Sequence, residues 1–219
     1  MKDAAIALAL TEGARAASET LLMDATNPWE LDAAMVAHGF AVGVCEAQDL
    51  EGLDVGLARR AGPQAGTNER IIPILPRMVS EGRLGRSVGV GWYRYPGGGG
   101  LVIDPLVEDL LREEAWFAGV TRQDLDDAVL VERVIMGMTQ SALALLAQGA
   151  EHARIDQISI DAVGFPPGSG GVLNHVAFLG QAEVTRCFER MSWPARCLRQ
   201  TQANLGAFFG AESQISSGR

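Results

Sequence analysis

Apolar residues recur at helical spacing along most of the chain, and strict alternation is rare. The stretch from Ala4 to Asp24 repeats apolar residues three and four positions apart, which predicts one long amphipathic helix. Asn27 followed by a proline is typical of a helix start, and Gly39 is typical of the end of that helix. Residues 44–60 continue with helical periodicity, interrupted near Gly52. The first part of the chain is therefore predicted to be a series of helices joined by short turns.

The second half of the chain has the same kind of pattern. Asp104-Pro105 predicts one helix start, and the capping box from Thr121 to Asp124 predicts the start of a long helix that reaches Gln148. Shorter helices are predicted around residues 156–163, 172–179, 182–191 and 194–209. Residues 82–100 are rich in glycine and end in four consecutive glycines, which predicts a weakly structured linker. Since no pair of strands is evident, the predicted fold class is all-α.

A turn motif occurs twice, 125 residues apart: Gly39-Phe40-Ala41-Val42-Gly43 returns as Gly164-Phe165-Pro166-Pro167-Gly168. An acidic residue, Asp32 or Asp156, lies seven or eight positions before each turn. These repeats predict two tandem copies of one helical unit, residues 1–100 and 101–219, packed on each other as an internal pseudo-dimer. The predicted structural turn residues are Gly39, Phe40, Gly43, Gly164, Phe165, Pro166, Pro167 and Gly168.

Composition narrows the class of protein. The 219 residues are 47% hydrophobic and carry a net charge of -9, which suits a globular protein and disfavours a nucleic-acid binder. The three cysteines, Cys45, Cys187 and Cys197, are far apart and form no CxxC motif, so we expect free thiols rather than a disulfide or a zinc site.

Membrane and secretory signals are weak in the sequence. The longest run free of charged residues and histidine, residues 134–150, is shorter than the roughly 20 apolar residues that a bilayer requires. It is therefore predicted to be a buried helix, and no signal peptide is evident. We expect a cytoplasmic protein with neither a nucleic-acid nor a membrane partner.

Few residues indicate catalytic chemistry. The histidines are His38, His152 and His175, and the sequence shows no nucleophile or carboxylate positioned to work with any of them. Seven arginines but only two acids fall between residues 59 and 94. Within this basic stretch, Arg83 and Arg86 are the candidate contacts for an anion such as a CoA phosphate. The alternative is ordinary pairing of these arginines with the acidic helices around them.

Several segments together resemble a known family. The segments Leu21 to Asp32, Gly39-Phe40 and Asp49 to Val55 resemble the C-terminal domain of 3-hydroxyacyl-CoA dehydrogenases. Residues 78–96, with Gly82-Arg83-Leu84-Gly85-Arg86, are similar to the segment that closes that domain. Glu132-Arg133, residues 142–149, residues 164–167 and Gly170-Gly171 resemble the repeated C-terminal domain of multifunctional fatty-acid oxidation enzymes.

The resemblance implies NAD-dependent oxidation of 3-hydroxyacyl-CoA by an enzyme whose preceding Rossmann domain binds NAD and supplies a catalytic His–Glu pair. This chain contains no G-x-G-x-x-G motif, and residues 1–10 lack the Asn-Arg pair that the family places at the start of its first long helix. No catalytic, cofactor-binding or metal-binding residue is therefore predicted in this chain.

Two functions follow from the resemblance. The first is the acyl-binding and dimerisation part of a 3-hydroxyacyl-CoA dehydrogenase in fatty-acid β-oxidation, inactive as this chain alone, with NAD bound only by a partner Rossmann domain. Its candidate partners are acyl-CoA and an NAD-binding dehydrogenase subunit. The alternative is a catalytically inert acyl-CoA-binding or protein-binding module of the same fold.

Overall fold

Helices make up most of the structure, a computed structural model that describes residues 1–60, 72–191 and 195–217. In these residues the eleven α-helices are α1 (Asp3–Asp24), α2 (Pro28–His38), α3 (Val44–Glu51), α4 (Leu53–Arg60), α5 (Ile74–Ser80), α6 (Pro105–Phe117), α7 (Asp127–Ala147), α8 (His152–Asp161), α9 (Val172–Leu179), α10 (Gln181–Glu189) and α11 (Ala195–Ser217). Extended structure in the same residues is limited to isolated β-bridges. The predicted all-α fold class is confirmed.

Helix ends in the first part of the chain lie where local chemistry places them. The Asn27 side chain accepts a hydrogen bond from the Glu30 amide at 3.0 Å, so it caps α2 as expected. Gly39 ends α2 in the left-handed conformation with φ 111°, and its amide donates to the last carbonyls of the helix. Gly52, at φ 109°, separates α3 from α4. These features depend on neighbours in the sequence, which is why periodicity and capping rules predict them.

The start of α7 differs from the sequence prediction. The helix begins at Asp127, and residues 121–126 are not helical. The Arg122 guanidinium donates to the Leu22 and Thr26 carbonyls, each at 2.6 Å, and the Gln123 amide donates to the Asp24 carbonyl at 2.7 Å. This segment therefore satisfies the carbonyls at the end of α1 instead of forming the first turn of α7.

The described residues form two compact units. The first unit comprises residues 17–60 and 72–131, and the second comprises residues 1–16, 132–191 and 195–217. Fully buried side chains fill each of them, among them Trp92 and Leu31 in the first unit and Phe165 and Phe188 in the second. The tandem copies predicted at residues 1–100 and 101–219, and their packing as a pseudo-dimer, stay predictions.

Two long helices approach each other closely inside the second unit. A Cβ atom added to Gly13 of α1 would lie 2.3 Å from the Gly137 carbonyl oxygen of α7, so no larger residue fits there without movement. Among the described helices, α7 alone is long and apolar enough to cross a membrane by length and composition. However, 61% of its most apolar stretch is buried in the protein, as expected of a core helix.

The segment predicted as a weakly structured linker is ordered over most of its length. Residues 85–102 form a short ladder of antiparallel bridges, which pairs Gly85 with Val90, Val90 with Arg94, and Arg94 with Val102. Its aromatic residues, including Trp92, are buried. The expectation of weak structure is therefore wrong for residues 82–95, because long-range contacts that the local sequence does not reveal hold this segment in place.

Candidate functional site

The first Gly-Phe turn is organised by a buried carboxylate. Asp32 of α2 accepts hydrogen bonds from the amides of Cys45 at 2.8 Å and Glu46 at 2.9 Å, in the first turn of α3. A Cβ on Gly43 would lie 2.1 Å from the Asp32 Cγ atom, so glycine is required for this approach. Phe40 fills the core beside the turn. Asp32 therefore caps α3 from a neighbouring helix, and the negative charge meets the positive end of the helix dipole.

The second Gly-Phe turn has the same organisation in the second unit. Asp156 of α8 accepts hydrogen bonds from the amides of Leu173 at 2.6 Å and Asn174 at 3.3 Å, in the first turn of α9. Gly171 has φ 110°, and a Cβ there would lie 2.4 Å from the Asp156 Cβ atom. Phe165 is buried beside the turn. The acidic residues noticed in the repeat thus have a common physical role, the capping of a following helix.

A third buried carboxylate is present in the first unit. Asp49 of α3 accepts hydrogen bonds from the amides of Trp92 at 2.8 Å and Tyr93 at 2.9 Å, and from the Tyr95 hydroxyl at 3.0 Å. A Cβ on Gly91 would lie 2.0 Å from the Asp49 Oδ1 atom. Asp49 therefore fixes the ladder of residues 85–102 against α3.

Tyr93 connects the carboxylates of the first unit. Its hydroxyl lies 2.9 Å from Asp32 Oδ2 and 3.0 Å from the Pro28 carbonyl oxygen, so its single proton is shared between these two acceptors. Burial raises the pKa of Asp32 to about 6, and burial likewise raises the pKa of Asp49 to about 6, against hydrogen bonds that act to lower both values. Burial also raises the pKa of Tyr93, which keeps its hydroxyl protonated. The cluster of Asp32, Asp49, Tyr93 and Tyr95, here called the carboxylate cluster, is an anchor whose carboxylate oxygens are all engaged.

The two arginines predicted to contact an anion lie in different environments. The Arg83 side chain is buried; it pairs with Asp104 and donates to the Gly91 carbonyl at 2.9 Å. Arg86 is exposed and lies above the Tyr95 ring, with the guanidinium carbon 5.7 Å from the ring centre. Among the described residues Arg86 has no carboxylate partner. Arg86 is thus the better placed of the two to meet a ligand in solution.

An open groove of about 630 Å³ lies in the first unit between α5 and α6. Its lining combines two leucines with charged side chains: Arg77, Glu81, Arg83, Leu106, Asp109, Leu110 and Glu113. Arg77 is paired across it, 3.3 Å from Glu113 and 2.9 Å from Glu81. Sequence reasoning missed this groove, since α5 and α6 meet through tertiary packing across about 25 residues of intervening chain.

The histidines lie apart from the carboxylate cluster. His38 is exposed at the C-terminal end of α2, and His175 of α9 packs edge-on against Phe165 with ring centres 5.9 Å apart. His152 begins α8, with Nε2 3.1 Å from Asp156 Oδ2, and its ring packs against Phe208 of α11. His152 therefore contacts the carboxylate that caps α9.

One group of ligand-type side chains lies in the second unit. The side-chain ligand atoms of Glu132, Glu183 and Cys187 lie within 4.8 Å of one another. The Arg190 guanidinium is 3.2 Å from Glu132 and 3.6 Å from Glu183, so it balances their charge. Burial raises the pKa of Cys187 to about 11, which keeps the thiol protonated. Glu132 thus forms an ion pair with Arg190, the residue that follows α10.

Comparisons with known proteins agree with the sequence resemblance. Residues 10–95 match the family model of the 3-hydroxyacyl-CoA dehydrogenase C-terminal domain. Similar proteins include the peroxisomal bifunctional enzymes of Danio rerio, 28% identical over 79% of this chain, and of Cavia porcellus, 30% identical over 75%. The fatty acid oxidation complex subunit alpha of Shewanella sp. (strain MR-7) is 28% identical over 84%. The resemblance is confirmed, and the chain spans about a quarter of the length of these curated relatives (26%, 25% and 26%).

Solved structures show the same fold. The dehydrogenase part of multifunctional enzyme 1 from C. elegans matches 91% of this chain and 48% of its own with a TM-score of 0.64 and 17% identity. The 3-hydroxybutyryl-CoA dehydrogenase from Escherichia coli K12 matches 91% of this chain and 59% of its own with a TM-score of 0.60 and 17% identity. In both cases a large part of the other protein has no counterpart in this chain.

Proposed function

We propose that this chain, whose residues 10–95 carry the 3-hydroxyacyl-CoA dehydrogenase C-terminal domain, is the acyl-binding and dimerisation part of such a dehydrogenase in fatty-acid β-oxidation. The observation that supports this most directly is the match of that domain together with the likeness of the helical fold to two dehydrogenase structures. The reaction implied is oxidation of 3-hydroxyacyl-CoA to 3-oxoacyl-CoA, with transfer of a hydride to NAD. The hydride chemistry belongs to a separate NAD-binding part.

The chemistry of the described residues supports this division of labour. A dinucleotide is ordinarily held where a glycine-rich turn joins a parallel strand to a helix, and the sequence has no G-x-G-x-x-G motif. The buried carboxylates of the carboxylate cluster have their oxygens occupied by backbone amides and tyrosine hydroxyls. A general base needs a free lone pair within reach of its substrate. We therefore expect this chain to position substrate and partner rather than to move protons or hydride.

The tandem-copy arrangement is part of the proposal. The order of α1 to α4 parallels that of α7 to α10, and a glycine with positive φ, Gly52 or Gly180, separates the last two helices in each set. Asp32 and Asp156 cap the equivalent third helices. The close approach of α1 and α7 at Gly13 is compatible with two copies packed through the first helix of the four in each set. We place the copies at residues 1–100 and 101–219.

Acyl-CoA is the proposed ligand, with Arg86 as its anion contact. Arg83 was predicted to share this role, but its guanidinium is committed to Asp104 and the Gly91 carbonyl. Charge reversal by Arg86→Glu should weaken acetoacetyl-CoA binding in calorimetry by about 1 kcal/mol, the scale of one partly exposed ion pair. Arg112→Glu, an exposed arginine of α6, is the matched control. Equal affinities for Arg86→Glu and the unmodified protein would remove Arg86 from the proposal.

The decisive experiment compares the chain alone with the chain plus an NAD-binding polypeptide. The chain is tagged, captured from native lysate with whatever binds it, and assayed for NADH oxidation with acetoacetyl-CoA. We expect no turnover by the purified chain alone, and turnover when an NAD-binding polypeptide accompanies it. Turnover by the chain alone would refute the division of labour.

A second candidate function is a catalytically inert acyl-CoA-binding or protein-binding module of the same fold. This candidate is favoured because both carboxylate oxygens of Asp32 and of Asp49 already accept hydrogen bonds from backbone amides. The carboxylate cluster therefore offers no catalytic acid or base. Gene neighbourhood separates the two candidates. A neighbouring gene for a lone NAD-binding half favours the enzyme part, and a complete dehydrogenase encoded elsewhere favours the inert module.

A further inference from the structure

The last bridge of the ladder leaves an open polypeptide edge in the first unit. Val102 and Arg94 exchange both of their backbone hydrogen bonds, at 2.8 Å and 2.9 Å. In such an antiparallel pair, the amides and carbonyls of the residues on either side point away from the partner strand. These residues are Leu101 and Ile103, and no described residue makes a hydrogen bond to their backbones. Residues 101–103 are therefore a short strand edge with unused donors and acceptors.

The side chains along this edge are apolar and exposed. Leu101 is 42% exposed and Ile103 is 46% exposed. Leu106, in the first turn of α6, is 61% exposed and continues the surface into the groove between α5 and α6. An exposed apolar edge with unpaired backbone groups is a template for strand addition by another polypeptide.

The same surface extends along α6. Positions 106, 110, 113 and 117 share one stripe of the helix, while the opposite stripe, with Val107 and Leu111, is buried in the first unit. The far end of the stripe carries Phe117, which is 66% exposed, and Trp116, which is 75% exposed, borders the stripe. Large aromatic side chains at a surface are the residues most often found at the energetic centre of interfaces. We call the edge 101–103 with the exposed stripe of α6 the α6 face.

Charge argues against a second copy of this chain as the occupant of the α6 face. Helix α6 carries four acids and one arginine, and the whole chain has a net charge of -9. Two such faces brought together would place like charges opposite each other, which is unfavourable in an interface. A partner with apolar side chains bordered by lysine or arginine fits this face better.

The length of the related proteins indicates which partner this is. The chain spans 26% of its relative from Danio rerio, and 48% and 59% of two dehydrogenase structures of the same fold. A dehydrogenase built on this fold therefore contains roughly as much further polypeptide as the helical part itself. We propose that the α6 face docks the NAD-binding polypeptide of the dehydrogenase, which adds an extended segment to the edge 101–103 and places basic side chains beside α6. This inference rests on the proposed function.

The test measures the affinity of the NAD-binding polypeptide captured in the assay above for the full chain and its variants. Leu106→Lys puts a charge in the centre of the α6 face, and Leu101→Pro removes one outward amide of the edge while leaving the pairing of Val102 intact. Leu50→Lys, on the exposed side of α3 in the same unit, is the matched control because Leu50 is similarly exposed. Circular dichroism and thermal unfolding establish that each variant is folded.

We expect Leu106→Lys and Leu101→Pro each to weaken binding about 10-fold or more, and Leu50→Lys to leave it within about 2-fold. If both face variants bind as the unmodified chain does, the docking proposal is wrong and the proposed function stands. If no NAD-binding polypeptide is captured, the proposed function fails and the docking proposal fails with it. If sedimentation shows a dimer of the chain that Leu106→Lys dissociates, the α6 face joins two copies instead.

Discussion

In both Gly-Phe turns a buried carboxylate caps the following helix, but a different additional side chain contacts that carboxylate in each turn. In the first unit, Asp32 accepts from the amides of α3 and also faces the Tyr93 hydroxyl, which comes from 61 residues away. In the second unit, Asp156 accepts from the amides of α9 and faces His152, four residues earlier on its own helix. One carboxylate is thus tied to long-range structure and the other is satisfied locally.

The same capping arrangement therefore contributes differently to the stability of the two units. The first turn is continuous with the ladder of residues 85–102 through Tyr93 and Asp49, so its loss removes the anchor of a whole segment. In the second turn the His152 side chain is half-exposed, so water replaces part of its contact with Asp156 when that contact is removed. We therefore expect equivalent substitutions in the two turns to have unequal effects on stability.

The largest expected effect comes from removal of each capping carboxylate. Asp32→Ala leaves two amides in the first turn of α3 without their acceptor and leaves the Tyr93 hydroxyl with only the Pro28 carbonyl, which should lower the free energy of unfolding by about 3–5 kcal/mol. Asp156→Ala removes two amide contacts and a half-exposed histidine contact, for which we expect about 1–3 kcal/mol. Urea unfolding gives the totals, and hydrogen exchange by mass spectrometry assigns the loss to α3 or α9. Equal losses of unfolding free energy for Asp32→Ala and Asp156→Ala would contradict the unequal roles of the two carboxylates.

A change of pH is expected to have an effect that is smaller for each titrating group. The pKa values of Asp32 and Asp49 are about 6 in the folded protein because of burial, and carboxyl groups of the unfolded chain have values near 4. The folded state therefore holds protons more tightly between these values, so stability present at low pH is lost as pH rises from about 4 to about 6. The loss should reach about 2–3 kcal/mol per group, since one pKa unit is worth about 1.4 kcal/mol.

This pH dependence should be concentrated in the first unit. Burial raises the pKa of Asp156 as well, but the neighbouring His152 opposes the shift. Urea unfolding between pH 4 and pH 8 gives the slope, and Asp49→Asn should reduce it by about half because one of two titrating groups is removed. Asp109→Asn, at an exposed acid of α6, is the matched control because it removes a carboxylate outside the carboxylate cluster. Stability that rises over this interval would show that hydrogen bonding outweighs burial at both carboxylates.

The smallest effect is expected when the side chain that faces each capping carboxylate, Tyr93 or His152, is replaced. Tyr93→Phe removes one buried hydroxyl that serves Asp32 and the Pro28 carbonyl, and should cost about 1–2 kcal/mol of unfolding free energy. His152→Gln removes a partly exposed contact to Asp156, and should cost less than about 1 kcal/mol. Both are measured by urea unfolding at pH 7. A larger loss of unfolding free energy for His152→Gln than for Tyr93→Phe would show that the second turn, not the first, has the stronger additional contact.

Local sequence signals predicted a good part of this structure. The periodicity of α1, the Asn27 cap and the Gly39 stop all depend on neighbours within a few residues, and the structure has them as expected. The acidic residues before the two Gly-Phe turns were noticed from the repeat, although their capping role was not. The all-α class followed from the same periodicity.

Signals that act over long distances in the sequence were missed. Asp49 and Trp92 are 43 residues apart, and nothing near either residue indicates that one binds the other. Arg122 lies in a predicted helix start, but its guanidinium caps the end of α1 about 100 residues earlier. The sequence left two interpretations of Arg83 open, an anion contact or pairing with a neighbouring acid, and the path of the intervening ladder decides for pairing with Asp104.

The sequence by itself determined the helical class, the positions of most helix ends and the family to which the matched residues are similar, because periodicity, caps and motif order are local properties of the chain. Only the tertiary structure decided which carboxylates are buried, which arginine remains in solvent, and where an unpaired edge lies beside α6. The physical reason is that desolvation and hydrogen bonding are set by groups that meet only after the chain has folded.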